Sequence, residues 1–464
     1  MKRVYKTMAV LLSLLLLSGC AAGPAGQELP AGTAGEESRE MQPAAEILAE
    51  PARVLAIEAE GPAPEAEELP AEEFLMGDAH WDWWEAQRER INESTARQEG
   101  MERFYEDLLG DLLATEEQEN AVCSPLNIYL ALSMLAESSD GNTRDQILNV
   151  LQAGTLGELR SRVRALLDAN EMDTPAVKSL PAASLWLRDD LHYHEETLQR
   201  LTDEYDASSY RGEMGSEAMD RMLQEWTDEH TGGLLKEYTG EMNLQPETVM
   251  ALVSAIYFKA AWSQRFAPER TEEKIFHGAA GDTPVPMMRR DDMMPYYRLN
   301  RFRAVSLGLS DSGSVCFFLP EEGTDVRSLA GDPDVIRICR GMRQEESSYP
   351  LVHLTVPKFE VSGKTDLMET LARLGITDAA DPELADFSPL TSEAEKIWLD
   401  KAEHAAMVKM DEEGVTGAAY TELAMAGAGM PQLEVDFTLD RPFFFAVTAA
   451  DGSILFAGIL QTIK

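Results

Sequence analysis

PFFFAVTAADGSILFAGIL, residues 442–460, is the most apolar part of the chain after its N-terminal leader. Phe443 to Thr448 and Ile454 to Leu460 read as two strands joined at Asp451-Gly452, a dipeptide that favours the left-handed turn of a hairpin. Neither strand alternates between apolar and polar residues. Both faces must then be covered, which places the hairpin in the middle of the molecule. The chain end is therefore a core element, and what precedes it must supply the covering layers.

The leader is separate from the fold. Lys2, Arg3 and Lys6 precede an apolar run from Met8 to Leu17, too short to span a bilayer, and Leu17-Ser18-Gly19-Cys20 follows. Residues 1–19 read as a secretory signal. The Leu-Ser-Gly-Cys segment resembles a bacterial lipobox, which implies lipid attachment at Cys20 and a membrane tether without a spanning helix; the alternative is an ordinary signal peptide with an incidental Cys. Residues 20–78 are rich in Ala, Pro, Gly and Glu, with fourteen acids against two Arg from residue 21 onward, and read as a disordered tether. Residues 79–97 form a lead-in with Trp81, Trp83 and Trp84, expected to dock on the chain's own domain or on a partner. The net charge of −42 argues against nucleic acid and anionic lipid headgroups as partners. Cys123, Cys316 and Cys339 lie in apolar stretches and read as core residues, not as a disulfide framework or a metal site.

Residues 98–464 carry no second linker and no internal repeat, so they read as one domain. Helical periodicity marks Gln98 to Leu113, Thr143 to Leu151 and Ser216 to Glu229, and Leu126 to Glu137, nearly all apolar, reads as a helix buried inside the molecule. Ala182 to Leu187, Val249 to Phe258, Val315 to Leu319 and Leu351 to Phe359 read as strands, making the class α+β.

Five segments then resemble one family. Phe437-Thr438-Leu439-Asp440-Arg441-Pro442-Phe443-Phe444-Phe445-Ala446-Val447 is similar to the C-terminal signature of the serpins. Asn120-Ala121-Val122-Cys123-Ser124-Pro125-Leu126 resembles their strand-to-helix segment. Ser254-Ala255-Ile256-Tyr257-Phe258-Lys259 with Trp262, Val356-Pro357-Lys358-Phe359 and Ala385-Asp386-Phe387-Ser388 match in order and spacing. The resemblance implies three β-sheets, about nine helices and an exposed reactive loop. It implies a monomer that needs no cofactor and is not an enzyme. A serine protease attacks the loop, and the cut loop enters the central sheet while the protease is still attached as its acyl-enzyme.

The loop falls at DEEGVTGAAYTELAMAGAGMP, residues 411–431. Its hinge is Glu412, Glu413, Gly414, Val415, Thr416, Gly417, Ala418 and Ala419. With Val415 as the first inward residue, strand alternation sends Gly417, Ala419, Thr421, Leu423 and Met425 inward and Tyr420 and Glu422 outward, so no charge faces in. Gly414 is expected to permit a turn that other residues could not make. Val415 and Thr416 replace the family's usual Thr and Glu. In inhibitory members of the family the residue before the cut lies fourteen after the hinge glycine, so the resemblance implies a reactive bond at Ala428–Gly429, with Ala426 the next candidate. A small uncharged residue there suits an elastase-like or subtilisin-like protease. The resemblance also assigns a shutter (Ser124, Asn127, Ser254, His404), with Ser254 where the family usually has Asn, and a breach residue, Trp262. Two other readings stand beside this one: a non-inhibitory serpin acting as a binding module, and a secreted hydrolase using Ser124 and His404. His192 and His194 suggest a metal only weakly, with no third ligand. The lipobox places the protein outside the bacterial cell, held at the surface by its lipid.

Overall fold

The computed structural model describes residues 55–57, 78–114, 120–233, 240, 242–343, 347–393, 396–415 and 433–463. The signal segment, Cys20 and loop residues 416–432 lie outside that set. The described residues form nine α-helices and three sheets of eight, six and four strands.

The six-stranded sheet holds the C-terminal hairpin. Phe443–Ala449 and Ile454–Leu460 pair antiparallel around Gly452, which takes a φ of 85°. Every residue of both strands is buried. Rings from three other elements, Phe276, Phe317 and Phe359, pack edge-on against Phe443. On one side Ile454–Leu460 pairs with Ala121–Cys123, which leads straight into a helix, Pro125–Ser138. Ser124 caps that helix and Pro125 opens it, so the strand-to-helix switch is written into two adjacent residues. All fourteen helix residues are buried.

The eight-stranded sheet runs Leu55–Ile57, Ala207–Gly212, Val177–Arg188, Met250–Ala261, Gly414–Val415, Lys401–Met410 and Phe359–Asp366, with Met172–Asp173 paired to Val177–Arg188. Two departures from the sequence reading appear. Leu55–Ile57, within the segment read as a disordered tether, pairs antiparallel with Ala207–Gly212. A three-residue apolar stretch thereby covers a sheet edge whose N–H and C=O groups would otherwise be unpaired. The stretch read as one strand from Leu351 to Phe359 is two, Leu351–Pro357 in the four-stranded sheet and Phe359–Asp366 in the eight-stranded one. The break falls at Lys358, after a Pro that cannot donate to a further ladder bond.

The Trp-containing lead-in is a helix, Asp78–Arg97. Gly100, at φ 85°, separates it from the next helix, Met101–Leu112. Trp83 packs against the main core, and Trp81 remains 68% exposed. The helix is fastened to the hairpin turn through Asp451. That buried carboxylate accepts from Ser94 Oγ (2.6 Å), Gln98 Nε2 (2.9 Å), Asn170 Nδ2 (2.9 Å) and the Ser453 main-chain N–H (2.9 Å). With the Ser453 hydroxyl, which also donates at 3.0 Å, the carboxylate satisfies five buried donors and cannot be removed without stranding them. Asp451→Ala should therefore lower the thermal unfolding midpoint, at a cost of about 2–3 kcal/mol, while Asp451→Asn should fall between the two. An unchanged midpoint in the Ala variant would show that the helix does not depend on this turn.

Candidate functional site

Two neighbouring strands of the large sheet define the site. Met250–Ala261 and Lys401–Met410 run parallel and pair from Ala251↔Lys401 to Ser254↔His404. Above that level, no pairing among the described residues joins them. Gly414–Val415 instead turns back from the second strand and lies between the two, with Val415 opposite both Met410 and Ala260. Strands that flank a third lie about 10 Å apart, against about 4.8 Å for direct neighbours. The sheet is thus forked, and over the six residues from His404 to Met410 the slot is about 20 Å long.

At the crotch of the fork sit the four assigned shutter residues. His404 is buried, and its Nε2 accepts from the main-chain N–H of Ser124 at 2.9 Å. That assignment leaves the proton on Nδ1, which donates to Ser254 Oγ at 3.0 Å. The ring is therefore neutral, and burial pushes its pKa down to about 3. Asn127 Nδ2 donates to the Ala255 carbonyl at 2.8 Å, just where the pairing stops. Its Oδ1 finds no protein partner. Ser254 thus meets the imidazole with a hydroxyl, and Asn127 supplies the amide. The Ser124 hydroxyl is taken up as a helix cap by Asn127 N–H, and His404 addresses the Ser124 main chain instead. That geometry does not make a nucleophile and base.

At the open end the hinge is held by Trp262. This buried residue donates from its indole Nε1 to the Asp411 carbonyl (2.9 Å) and from its main chain to the Glu413 carbonyl (3.0 Å). Phe266 N–H takes the Glu412 carbonyl at 3.1 Å. Asp411 Oδ1 accepts from Glu413 N–H at 2.9 Å and closes the turn locally. The Glu412 carboxylate pairs with Lys358 Nζ at 2.7 Å and accepts from Thr271 Oγ1 at 2.8 Å. Burial raises this carboxyl, but the Lys358 and Thr271 bonds outweigh it and hold it below its ordinary value.

Gly414 is required for a reason other than the expected turn. Its φ is outside the left-handed region, but a Cβ there would run into the Ala260 carbonyl of the neighbouring strand. Val415 is buried at the head of the slot. Of the other hinge residues, Thr416, Gly417, Ala418 and Ala419 lie outside the described set, as do Ala428 and Gly429. The sequence reading missed Lys358 and Thr271 as partners of Glu412, and nothing in their spacing from residue 412 signals the contact. Lys358 did stand inside one of the five family segments.

Elsewhere, the two histidines read as weak metal candidates go to separate partners. His192 faces Glu393 at 3.2 Å, and His194 faces the Pro389 carbonyl at 3.1 Å. Cys123, Cys316 and Cys339 are free thiols in the core.

Comparison with known proteins gives a consistent result. The profile of the family described as "Serpin (serine protease inhibitor)" matches residues 99–462. The chain is 29% identical over 373 residues to the leukocyte elastase inhibitor of Sus scrofa, covering 78% of this chain and 97% of that protein. It is 28% identical over 377 residues to Serpin-Z2B of Oryza sativa subsp. japonica, covering 73% and 90%. Among solved structures, the native thermophilic serpin tengpin superposes with a TM-score of 0.70 at 22% identity, over 88% of this chain and 98% of that one.

The fork makes a pH prediction. A depressed His pKa contributes stability that is present above the unfolded value of about 6.5 and is lost as pH falls from there toward the folded value near 3. Protonation would also place an N–H against the Ser124 N–H. The native form should therefore convert to other conformers faster as pH falls from about 6.5. His404→Gln can accept and donate at the same positions without titrating, and should flatten that dependence. The check is the rate of native-state loss against pH for the two proteins. Parallel profiles would remove His404 as the cause.

Proposed function

The chain belongs to the serpin family, whose members inhibit serine proteases and are not enzymes, and from that premise we propose that it traps a serine protease as a suicide substrate. The observation that carries the reading is Val415 seated between Met410 and Ala260 at the head of a slot that no other described residue fills. The chain that continues from it is strand-competent: small or apolar at alternate positions, without Pro until residue 431.

Continuing the Val415 register gives the path of insertion. Each further residue advances one step down both neighbours. Thr416–Tyr420 then fill the slot down to the fork, and Thr421 arrives at the level of Ser254 and His404, which are themselves paired. Insertion from Thr421 onward must part the four existing pairs from Ala251↔Lys401 to Ser254↔His404. Glu422, the first residue past the fork, would meet Val253 on one side and Glu403 on the other. Glu403 is buried and already held by Lys364 (2.8 Å) and Lys401 (3.2 Å). The face expected to be outward is not open water at this depth. Ala251, Val253 and Ala255 lie beneath a cluster that includes Met219, Leu223 and Trp226 of the helix Glu217–His230. Insertion would therefore have to lift that helix locally and seat two carboxylates among two lysines.

Ala428–Gly429 as the bait supports an elastase-like or subtilisin-like target, since residues 411–431 offer no Lys or Arg. The leader supports a secreted bacterial protein tethered through a lipid on Cys20.

Mixing the protein with elastase should give an adduct of summed mass that survives denaturing electrophoresis, together with a released fragment beginning near Gly429. Loop cleavage without any adduct would sink the inhibitory reading. Two variants probe the path. Val415→Arg puts a charge at the buried head of the slot and should turn the inhibitor into a substrate. Glu422→Gln removes the like charge opposite Glu403 and should speed insertion about fivefold, seen as less cleaved inhibitor per adduct. An unchanged partition would count against this register.

A further inference from the structure

Two of the three core cysteines touch. Cys316 lies on the strand Gly313–Pro320 of the six-stranded sheet, opposite Ser306 on one neighbour and Ala446 on the other. Cys339 is the last residue of the helix Pro333–Cys339. Both are buried, and their thiols hydrogen-bond to each other. The bond from Cys339 holds the Cys316 thiol below its ordinary value although burial opposes it. Burial, and then the same bond, push the Cys339 thiol up. Cys316 also reaches Ser306 Oγ at 3.6 Å. Cys123 stands apart, on Ala121–Cys123, where it pairs with Ala457. A buried cysteine by itself packs as a small apolar side chain. Two that meet thiol to thiol from a strand and a helix have the convergence that a disulfide needs.

The place of the contact gives it a purpose. The next residue, Arg340, donates to Gln98 Oε1 at 3.1 Å and pairs with Glu102. Gln98 is one of the donors to Asp451. A Cβ on Gly452 would meet the Arg340 carbonyl at 3.1 Å, so the helix end abuts the turn of the C-terminal hairpin. We propose that Cys316 and Cys339 are joined as a disulfide in the exported protein, a clasp that secures this helix end to the six-stranded sheet. The argument rests on the export reading above, because disulfides persist in oxidising compartments. An external disulfide is the oxidant. One core thiolate attacks it to form a mixed disulfide, and the other displaces the external half. The two core thiols give up two protons and two electrons, and the external disulfide leaves as two thiols. Neither sulfur is accessible once the core has closed, so the exchange takes place while the chain folds. The clasp lies outside the forked sheet and stiffens the scaffold that holds it.

The test maps thiols in the full chain made by cells with its own leader. Free thiols are blocked in denaturant without reduction, and trypsin should then release Ala304–Arg327 joined to Ile338–Arg340, with Cys123 blocked as a thiol. Chain made in the reducing cytosol should carry both as thiols, and unfolding it and refolding it with oxidised glutathione should join them. The joined form should unfold about 5 °C above the reduced form, and Cys339→Ala should abolish the difference. Blocked thiols at both positions after refolding with glutathione overturn the clasp. So does a bridge that includes Cys123, or a mixed disulfide that stops at glutathione. A pair that glutathione joins but that exported chain carries as thiols overturns it too, since the bond is then no part of the exported protein. Whether chain appears outside the cell is scored separately: chain found only inside overturns the export reading, and the clasp in the exported protein falls with it.

Discussion

Much of the structure turns on where two parallel strands stop pairing. Ser254 and His404 form the last pair of the fork, and one residue further on the Ala255 carbonyl is taken by a side chain, Asn127, in place of a strand. A β-ladder normally continues because each unpaired main-chain group is costly once buried. Here the ladder is interrupted by a polar cluster that satisfies the groups at the crotch, and among the described residues only Val415 occupies the slot above it, at its head.

A sheet can be left open only if the rest of the molecule does not relax to close it. The C-terminal hairpin supplies that rigidity. It is buried on both faces, ringed by phenylalanines from three elements, and tied through Asp451 to the N-terminal helix. Close-packed interiors transmit strain and resist small rearrangements. The same buried strand, Ile454–Leu460, pairs with Ala121–Cys123, which delivers Ser124 to the fork. The most apolar element in the chain thus positions the most polar cluster of the central sheet.

The features legible in the sequence were those set by local chemistry. The hairpin could be read from Asp451-Gly452 between unalternating apolar runs, and the buried helix Leu126 to Glu137 from its composition. Three features were not legible, each because it depends on long-range approach. Lys358 meets Glu412 from the link between two strands of different sheets, and no spacing links them. Gly414 looks like a turn glycine, yet the constraint is the Ala260 carbonyl on a neighbouring strand. Leu55–Ile57 is three apolar residues in an acidic, Pro-rich stretch, and only the edge offered by Ala207–Gly212 makes it a strand. Alternation separates the loop's two faces on paper, but period two cannot say that a helix lies over one of them.

The two ends of the slot are closed by different physics. At the fork, neutral hydrogen bonds act in a buried, low-dielectric setting where salt has little reach. At the hinge, the main-chain bonds to Trp262 are similarly sheltered, but the Glu412–Lys358 pair is partly exposed, with Lys358 at 38%, and is screened as ionic strength rises. Salt therefore loosens the hinge first, and acid loosens the fork first. In the proposed trapping movement, insertion would begin at the hinge and finish only past the fork, so the two conditions would act on separate stages. Loosening the hinge alone would admit residues as far as Tyr420 and stop at the intact Ser254↔His404 pair; loosening the fork alone would leave the entrance held.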